Sequence, residues 1–291
     1  MIELIQKRLD SYKATGPVEE EQATKEILQE VALYSLWRAG FFEVAAFQGG
    51  TSLRILHGLP RFSEDLDFIL KEPDPDFDWN IYLDKLLSGL QEFGLQSEAL
   101  DRSRMDQRVK KALLKDNSVS NQLDLAFYRG HEDQKLRIKL EIDVNPPEGS
   151  GYDYSYLDFP LDFEVCHQDL SSNFSLKIHA LLCRRYLKGR DWYDFNWYVK
   201  QNIQPNFAHL QAALYQYGPW EGETLTINED WLIETLLEKV AAVNWAEAAE
   251  DVARFLNTAE QQSLKLWSYK FFTKKVEGLR RAISGTAAPT G

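Results

Sequence analysis

The stretch "FQGGTSLRILHGLPRFSEDLDFIL", residues 47–70, sets a glycine pair before a short apolar run and closes with a cluster of acids. "TSLRILH" has the length of two helical turns, and "EDLDFIL" is typical of a strand. Successive side chains of a strand face opposite ways, so Asp65 and Asp67 share one face while Leu66 and Phe68 point to the other. The stretch therefore predicts a strand that enters a core with one face and carries paired carboxylates on the other.

These paired aspartates indicate either a metal site or a solvated strand end. Two carboxylates two residues apart on one face are rooted about 7 Å apart, close enough to share one or two hard cations. For a lone Asp-x-Asp the solvated strand is the commoner outcome, because antiparallel sheets often expose one polar face. Gly49 and Gly50 favour the site, since backbone N–H groups at a helix start bind phosphate and glycine permits close approach. Ser63 is in phase with Asp65, whereas Glu64 is not.

A third carboxylate is expected from a second strand. The segment "KLRIKLEIDV", residues 135–144, alternates apolar and polar residues as a half-buried strand does. Glu141 and Asp143 share its polar face, and either could join the aspartate pair. A phosphate-binding turn beside three acids is the equipment of nucleotidyl transfer, in which two metal ions stabilise the attacking oxygen and the leaving pyrophosphate.

Composition limits the partners. The chain has 291 residues and a net charge of -12, which argues against broad electrostatic binding of nucleic acid and requires a local basic patch instead. The largest basic run is residues 102–115, a candidate track for an RNA backbone or a solvated helix. The two cysteines and five histidines show no ligand spacing. No signal peptide or apolar run of about 18 residues appears, which predicts a cytoplasmic protein without a membrane partner.

Helical patterns dominate the second half. In the first half we expect helices over 18–40 and 79–93 and strands over 121–129 and 135–144. Later helices are predicted over 174–188, 191–201, 206–217, 229–241, 245–257 and 261–280.

A second block, "SLKIHALLCRRYLKGRDWYDFNWYV", spans residues 175–199. Its Lys177, Arg184 and Lys188 are spaced i, i+7 and i+11, which predicts one basic stripe within about 40° on a single helix. Gly189 fits the C-cap of that helix, and Asp191 fits the N-cap of the next. A capping role and a solvated stripe are the structural alternatives to a functional one.

The two blocks together resemble the AbiEii/AbiGii toxin family, nucleotidyltransferases of the polymerase-β-like superfamily. The family's first signature is matched by Gly49, Gly50, Arg61, Ser63, Asp65, Asp67 and Phe68. The second, a Lys-bearing helix followed by an Arg-Asp-x-x-Asp turn, is similar to residues 175–199, so the resemblance covers roughly residues 25–200. One departure is Thr51, because the wider superfamily places a Ser after its glycine, nearer the paired aspartates.

The resemblance implies an α+β fold. A polymerase-β-like mixed sheet with flanking helices would occupy residues 1–168, and a helical bundle over 169–291 would contribute Lys and Asp residues to the cleft. It implies catalytic roles for Asp65, Asp67, Lys177 and Asp191, with Asp194 as the alternative to Asp191. Metal would be held by Asp65 and Asp67 with Glu141 or Asp143. Nucleotide would be bound by Gly49, Gly50, Thr51, Arg61, Ser63, Arg184 and Lys188.

The implied activity is transfer of a nucleoside monophosphate from an NTP to a hydroxyl of RNA, at the 3′ end of tRNA. The cofactor would be Mg²⁺, as two ions, with Mn²⁺ as the alternative. The protein would be the toxin of a type IV toxin–antitoxin or phage-defence system with a separately encoded antitoxin. Two other classes stay open: a transferase that modifies a small molecule or a protein hydroxyl, and a non-catalytic relative that binds nucleotide.

Overall fold

The computed structural model of the protein describes residues 2–103, 108–116, 118, 122–126 and 136–285. These residues form two compact units. The first holds the described residues of Met1–Gly58, Phe62–Pro146 and Tyr152–His167, and the second holds those of Leu59–Arg61, Pro147–Gly151 and Gln168–Gly291. None of the helices among the described residues is long and apolar enough to cross a membrane.

The first unit is built on a mixed sheet. Its strands are β1 Ala45–Gln48, β2 Leu66–Leu70, β3 Ser97–Asp101, β4 Val109–Asp116, β5 Leu136–Asp143, β6 Tyr152–Leu157 and β7 Phe163–Gln168. They form a seven-stranded sheet in the order β3-β4-β5-β2-β1-β7-β6. The β2 strand lies between antiparallel β1 and parallel β5. The helices of the first unit are α1 Ile2–Ser11, α2 Pro17–Arg38, α3 Gly49–His57 and α4 Asn80–Glu92, with a 3-10 turn at Phe41–Glu43.

The apolar side of β2 is fixed in an aromatic core. Phe68 is buried, and its ring lies 4.8 Å from that of Phe41, which stacks on Trp79 at 5.4 Å. Leu66 is buried on the same face. Because side chains alternate along a strand, this anchoring turns Asp67 to the opposite face of the sheet.

Helices α2 and α4 pack closely through small residues. Gly89 of α4 lies so near Ser35 of α2 that a Cβ at position 89 would come within 2.4 Å of the Ser35 Oγ. Leu86 and Leu90 are fully buried beside it. A larger side chain at position 89 would push the two helices apart.

The second unit is helical. It contains α5 Leu170–Cys183, α6 Gly189–Lys200, α7 Phe207–Gln216, α8 Glu229–Ala242, α9 Trp245–Ala253, α10 Thr258–Ser263 and α11 Tyr269–Ile283, with a 3-10 turn at Leu264–Leu266. Its aromatic residues form the core: Trp192 of α6 is buried, and Trp245 stacks on Phe272 at 4.0 Å.

The predicted α+β fold is confirmed by this mixed sheet with flanking helices. The helices expected over 18–40 and 79–93 and the strand over 135–144 are present as α2, α4 and β5. Four of the nine residues of the strand expected over 121–129 lie outside the described residues, and the described part, 122–126, is not a strand. The helical alternative for the basic run 102–115 is wrong over residues 109–115, which belong to β4 and pair with β5.

The single helical stripe predicted for Lys177, Arg184 and Lys188 is also wrong. Helix α5 ends at Cys183, because Arg184 adopts an extended ψ of 133°. The next helix begins at Gly189, with Lys188 as its N-cap, so Gly189 does not close the preceding helix and Asp191 does not cap the following one. Position 189 needs glycine for another reason: a Cβ there would lie 1.9 Å from the carbonyl oxygen of Ala248 in α9.

We expect Gly89→Ala to lower the unfolding free energy of the protein by about 1–3 kcal/mol, because the added methyl overpacks the α2–α4 contact. A Gly→Ala change in an unconstrained helix would instead raise it by up to about 1 kcal/mol. Chemical denaturation of the two proteins measures the difference. The exposed neighbour Ser88→Ala is the control, and equal stability of both variants would contradict the close approach.

Candidate active site

The glycine turn and the second aspartate are in direct contact. Gly49 opens α3 with a φ of +76°, a conformation that favours glycine. A Cβ at this position would lie 2.7 Å from Oδ2 of Asp67, so the carboxylate packs on the glycine backbone. The N-terminus of a helix carries partial positive charge, which stabilises an anion at this position. The fold brings these two residues together, although they are 18 positions apart in the sequence.

The first aspartate is held by its backbone. Thr51 is fully buried, and its hydroxyl donates a hydrogen bond to the carbonyl oxygen of Asp65. The carbonyl of Ser63 accepts a hydrogen bond of 3.1 Å from Nε2 of the buried Gln29. The buried Thr51 hydroxyl therefore positions Asp65, and direct contact of Thr51 with phosphate stays a prediction.

The side chain of Asp65 remains partly open. It is 32% exposed, and its Oδ1 lies 3.8 Å from Nζ of Lys139 on the neighbouring strand β5. Asp65 directly precedes β2, which begins at Leu66, so a shared face for the Asp65 and Asp67 carboxylates stays a prediction.

Strand register distinguishes the two candidates for a third carboxylate. Glu141 is the direct partner of Asp67 across the parallel β2–β5 pair, whereas Asp143 is the partner of Ile69. Neighbouring strands lie about 4.8 Å apart, so Glu141 is the lateral neighbour of Asp67 and Asp143 lies farther along the strand.

Both candidates form ion pairs with β4 or the residue before it. Nζ of Lys111 lies 2.9 Å from Oε1 of Glu141, and Arg108 binds Asp143 through Nε at 3.1 Å and Nη2 at 2.9 Å. These cations come from the basic run 102–115, whose lysines and arginines the sequence pattern did not connect with the acids. The pairing was missed because that run was not recognised as a strand.

The acids of the first unit fit a hard divalent cation in part. Their donors are carboxylate oxygens, which such cations prefer, and the Asp67 carboxylate adjoins the glycine turn. Across the part of the chain that the structure describes, no three His, Cys, Asp or Glu side chains converge as metal ligands would. Asp65 and Asp67 stay predicted metal ligands, and Glu141 is paired with Lys111 through Oε1.

The second unit contains a buried cluster of charges. Nζ of Lys177 lies 2.8 Å from Oδ1 of Asp191 and 2.9 Å from Oδ2 of Asp194, one turn along α6. Arg61 is buried and binds Asp194 through two hydrogen bonds of 2.6 Å each. Arg184 binds the other carboxylate, that of Asp191. Both carboxylates contact Lys177, so the geometry does not choose between Asp191 and Asp194 as the functional acid.

The cluster keeps its members charged. Burial by itself raises the pKa of Asp191, but Lys177, Arg184 and Lys188 outweigh it and lower that pKa to about 2. Burial likewise opposes ionisation of Asp194, and Arg61 with Lys177 holds its pKa below the ordinary value. Burial lowers the pKa of Lys177, yet the two aspartates bring it above its usual range.

Arg184 and Lys188 line a concavity of about 280 Å³ within the second unit, together with Lys239 of α8. Lys188 is half-buried, and that burial lowers its pKa despite the attraction of Asp191. Arg61, by contrast, has its guanidinium directed at Asp194 in the interior. The pairing of Arg61 with Asp194 joins residues 133 positions apart, and no local sequence pattern indicates it.

Comparison with known proteins adds a family assignment. A sequence profile described as nucleotidyl transferase AbiEii toxin, type IV TA system, matches residues 31–272. Two solved structures from Helicobacter pylori are similar to the chain at 17% identity. One is a provisionally named nucleotidyltransferase with a TM-score of 0.46, covering 87% of this chain and 94% of its own. The other, JHP933, has a TM-score of 0.49 and covers 91% and 97%. Among curated proteins, none matches the chain significantly.

We expect Asp194→Asn to lower the unfolding free energy of the second unit by about 3–5 kcal/mol, because it leaves Arg61 and Lys177 without full compensation in the interior. Denaturant titration measures the change. Asp230→Asn is the matched control, since Asp230 is 80% exposed in its pair with Arg280 and should cost at most about 1 kcal/mol. Similar values for the two variants would contradict a structural role for the cluster.

The depressed pKa of Asp191 predicts a specific pH dependence. At pH above about 4 the carboxylate is ionised in both the folded and unfolded states, so its stabilisation is complete. As the pH falls to about 2, the unfolded chain binds the proton first, and the stabilisation is lost. The stability gap between wild type and Asp191→Asn should therefore close between about pH 4 and pH 2. A stability gap that stays constant over this range would show that the neighbouring cations do not lower the pKa of Asp191.

Proposed function

This chain belongs to the AbiEii nucleotidyltransferase toxin family of type IV toxin–antitoxin systems, and on that premise we propose that it transfers a nucleoside monophosphate to RNA. The acceptor would be a hydroxyl at the 3′ end of tRNA, as the sequence resemblance implies. Membership in the family implies an NTP substrate and an antitoxin partner. A role in phage defence is part of the same proposal.

The contact of Asp67 with the glycine turn is the observation that carries this proposal. A phosphate bound at the start of α3 would meet the Asp67 carboxylate on Gly49. Two anions at one place repel each other, and a divalent cation between acidic groups removes that repulsion. We therefore assign Asp65 and Asp67 as ligands of Mg²⁺, or of Mn²⁺ as the alternative. When bound, the metal would neutralise triphosphate charge and activate the attacking oxygen.

Strand register favours Glu141 over Asp143 as the third ligand. Glu141 lies directly beside Asp67, whereas Asp143 is held by Arg108 through two nitrogen atoms. Binding through Glu141 requires that its carboxylate exchange Lys111 for the metal. That exchange replaces one cation by another and leaves the local charge balance favourable.

The remaining candidate residues of the first unit would bind the triphosphate and orient the aspartates. Backbone N–H groups of Gly49, Gly50 and Thr51 would donate to the triphosphate at the start of α3. Thr51 holds Asp65 through its hydroxyl, and Ser63 would contact phosphate or a metal ligand. The acceptor hydroxyl forms the new bond to the α-phosphorus, the bond to the bridging oxygen breaks, and pyrophosphate leaves in line. Positioning and charge neutralisation supply most of the rate.

For the second unit we propose that Lys177 neutralises triphosphate charge, as its place in the family's second signature implies. Asp191 and Asp194 would keep its ammonium charged and fixed in direction, through contacts of 2.8 and 2.9 Å. Arg184 and Lys188 would hold substrate phosphates from the concavity that they line. Arg61 then acts as a positioning residue, because it orients Asp194 from the interior.

The decisive experiment is incubation of the protein with each α-labelled NTP and Mg²⁺, with and without total tRNA. We expect label on tRNA with wild type and a loss of at least about 100-fold in Asp67→Asn, because charge stabilisation of the reacting phosphate is removed. Glu64→Gln is the matched control, since this neighbouring acid is out of phase with the aspartate pair.

The other outcomes decide between acceptors. Label on the protein itself, or on a small molecule, would replace RNA as the acceptor while keeping the chemistry. Absence of transfer with every NTP and every acceptor fraction would overturn the catalytic assignment. Equal losses in Glu64→Gln and Asp67→Asn would show that the charge of the segment matters rather than the phase of its acids.

A further inference from the structure

Three of the six cations in the basic run 102–115 contact other groups of the protein. Arg108 and Lys111 are paired with carboxylates of β5. Lys110 is buried, and its ammonium donates to a backbone carbonyl. Charges that already neutralise acids add little attraction for a polyanion. An acidic chain that binds RNA requires unbalanced positive charge on its surface.

Such charge is present in the second unit, where the end of α6 meets α11. An open concavity of about 630 Å³ is lined there by four cations, Lys200, Lys274, Lys275 and Arg281. None of its lining residues is acidic, and Asn202 and Gln204 add polar groups. The sequence separates Lys200 from the other three by more than 70 positions, so the complete surface is assembled only by the fold.

These four cations have no carboxylate partner among the described residues, although Lys275 lies 5.1 Å from the ring centre of Phe271. Among the described residues none of them forms an ion pair, although Arg280 of the same helix binds Asp230 at 3.0 Å on another side. Burial and the nearby charge of Lys200 both lower the pKa of Lys275. Like charges placed together without a carboxylate repel each other, and a bound anion would relieve that repulsion.

The composition of the concavity favours phosphate over other anions. Its lining contains no aromatic side chain on which a base could stack, and few apolar ones that would anchor a peptide. Lys274 and Arg281 are seven residues apart on one helix, which separates their roots by about 10 Å. Flexible basic side chains over that span suit several phosphates of one strand and carry no sequence preference.

We propose that this surface, formed by Lys200, Lys274, Lys275 and Arg281, binds the phosphate backbone of the acceptor RNA. The identity of the RNA as acceptor rests on the proposed function, whereas its binding here rests on the charge arrangement. The surface supplies affinity that the net charge of -12 otherwise opposes. It leaves recognition of the reacting end to other residues.

The test is binding of labelled total tRNA across a series of salt concentrations, with wild type and Lys200→Glu/Lys274→Glu. Each lost phosphate contact should reduce the log–log salt slope by about one, so the double variant should lose about two and bind at least about tenfold more weakly at low salt. The matched control is Lys265→Glu/Lys270→Glu, with the same charge change at exposed lysines of the same unit that do not line the concavity.

Each outcome decides. A reduced slope in the first variant alone supports the surface. Equal effects in both variants, or none in either, overturn it. Thermal unfolding of each variant shows whether the fold is intact.

Failure of this proposal is distinguishable from failure of the proposed function. If wild type binds tRNA through the surface but transfers nothing to it, the proposed activity is rejected and the binding site is supported. If wild type transfers nucleotide to tRNA but the substitutions leave the salt slope unchanged, the proposed activity is supported and this binding surface is rejected.

Discussion

Packing of the Asp67 carboxylate on the backbone of Gly49 is the constraint on which the first unit depends. The contact needs a residue without a Cβ at the start of α3 and a strand whose polar side faces that turn. Phe68 supplies the second condition, because its burial against Phe41 fixes the phase of β2. Thr51 adds a bond to the backbone of Asp65. The acids are therefore set in place by the sheet and the turn.

A different principle holds the charged cluster of the second unit. Its charged groups are buried with one another, and burial by itself opposes ionisation of Asp191 and Asp194. Close contacts with Lys177 and Arg61 overcome that opposition. Buried pairs of this kind add little net stability compared with apolar packing, but losing one partner leaves an uncompensated charge. The arrangement fixes the direction of the Lys177 ammonium more than it strengthens the fold.

The distribution of balanced and unbalanced charge separates structural from binding surfaces. On the sheet, Lys111 and Arg108 neutralise Glu141 and Asp143 of β5. At the end of α11 the cations Lys274 and Arg281 have no such partners among the described residues and line an open surface. The net charge of the chain predicts the local charge at neither place, because that local charge depends on which side chains the fold brings within a few ångströms.

Local periodicity by itself indicated strand β2 and its apolar side. The two-residue repeat of that strand places Leu66 and Phe68 in the core and Asp67 on the opposite face, whereas Glu64 and Asp65 precede the strand. The positions of α2, α4 and β5 also follow from local patterns. The family resemblance was readable from the sequence, because its two signatures are short and contiguous.

Only the tertiary structure decided the long-range relations. Strand register placed Glu141, and not Asp143, beside Asp67. The end of α5 at Cys183 broke the basic stripe that helical spacing indicated. The Arg61–Asp194 pair and the basic surface of α6 and α11 join segments far apart in the chain. A sequence carries the period of each element, but pairing and packing depend on contacts between elements, and these have no local signal.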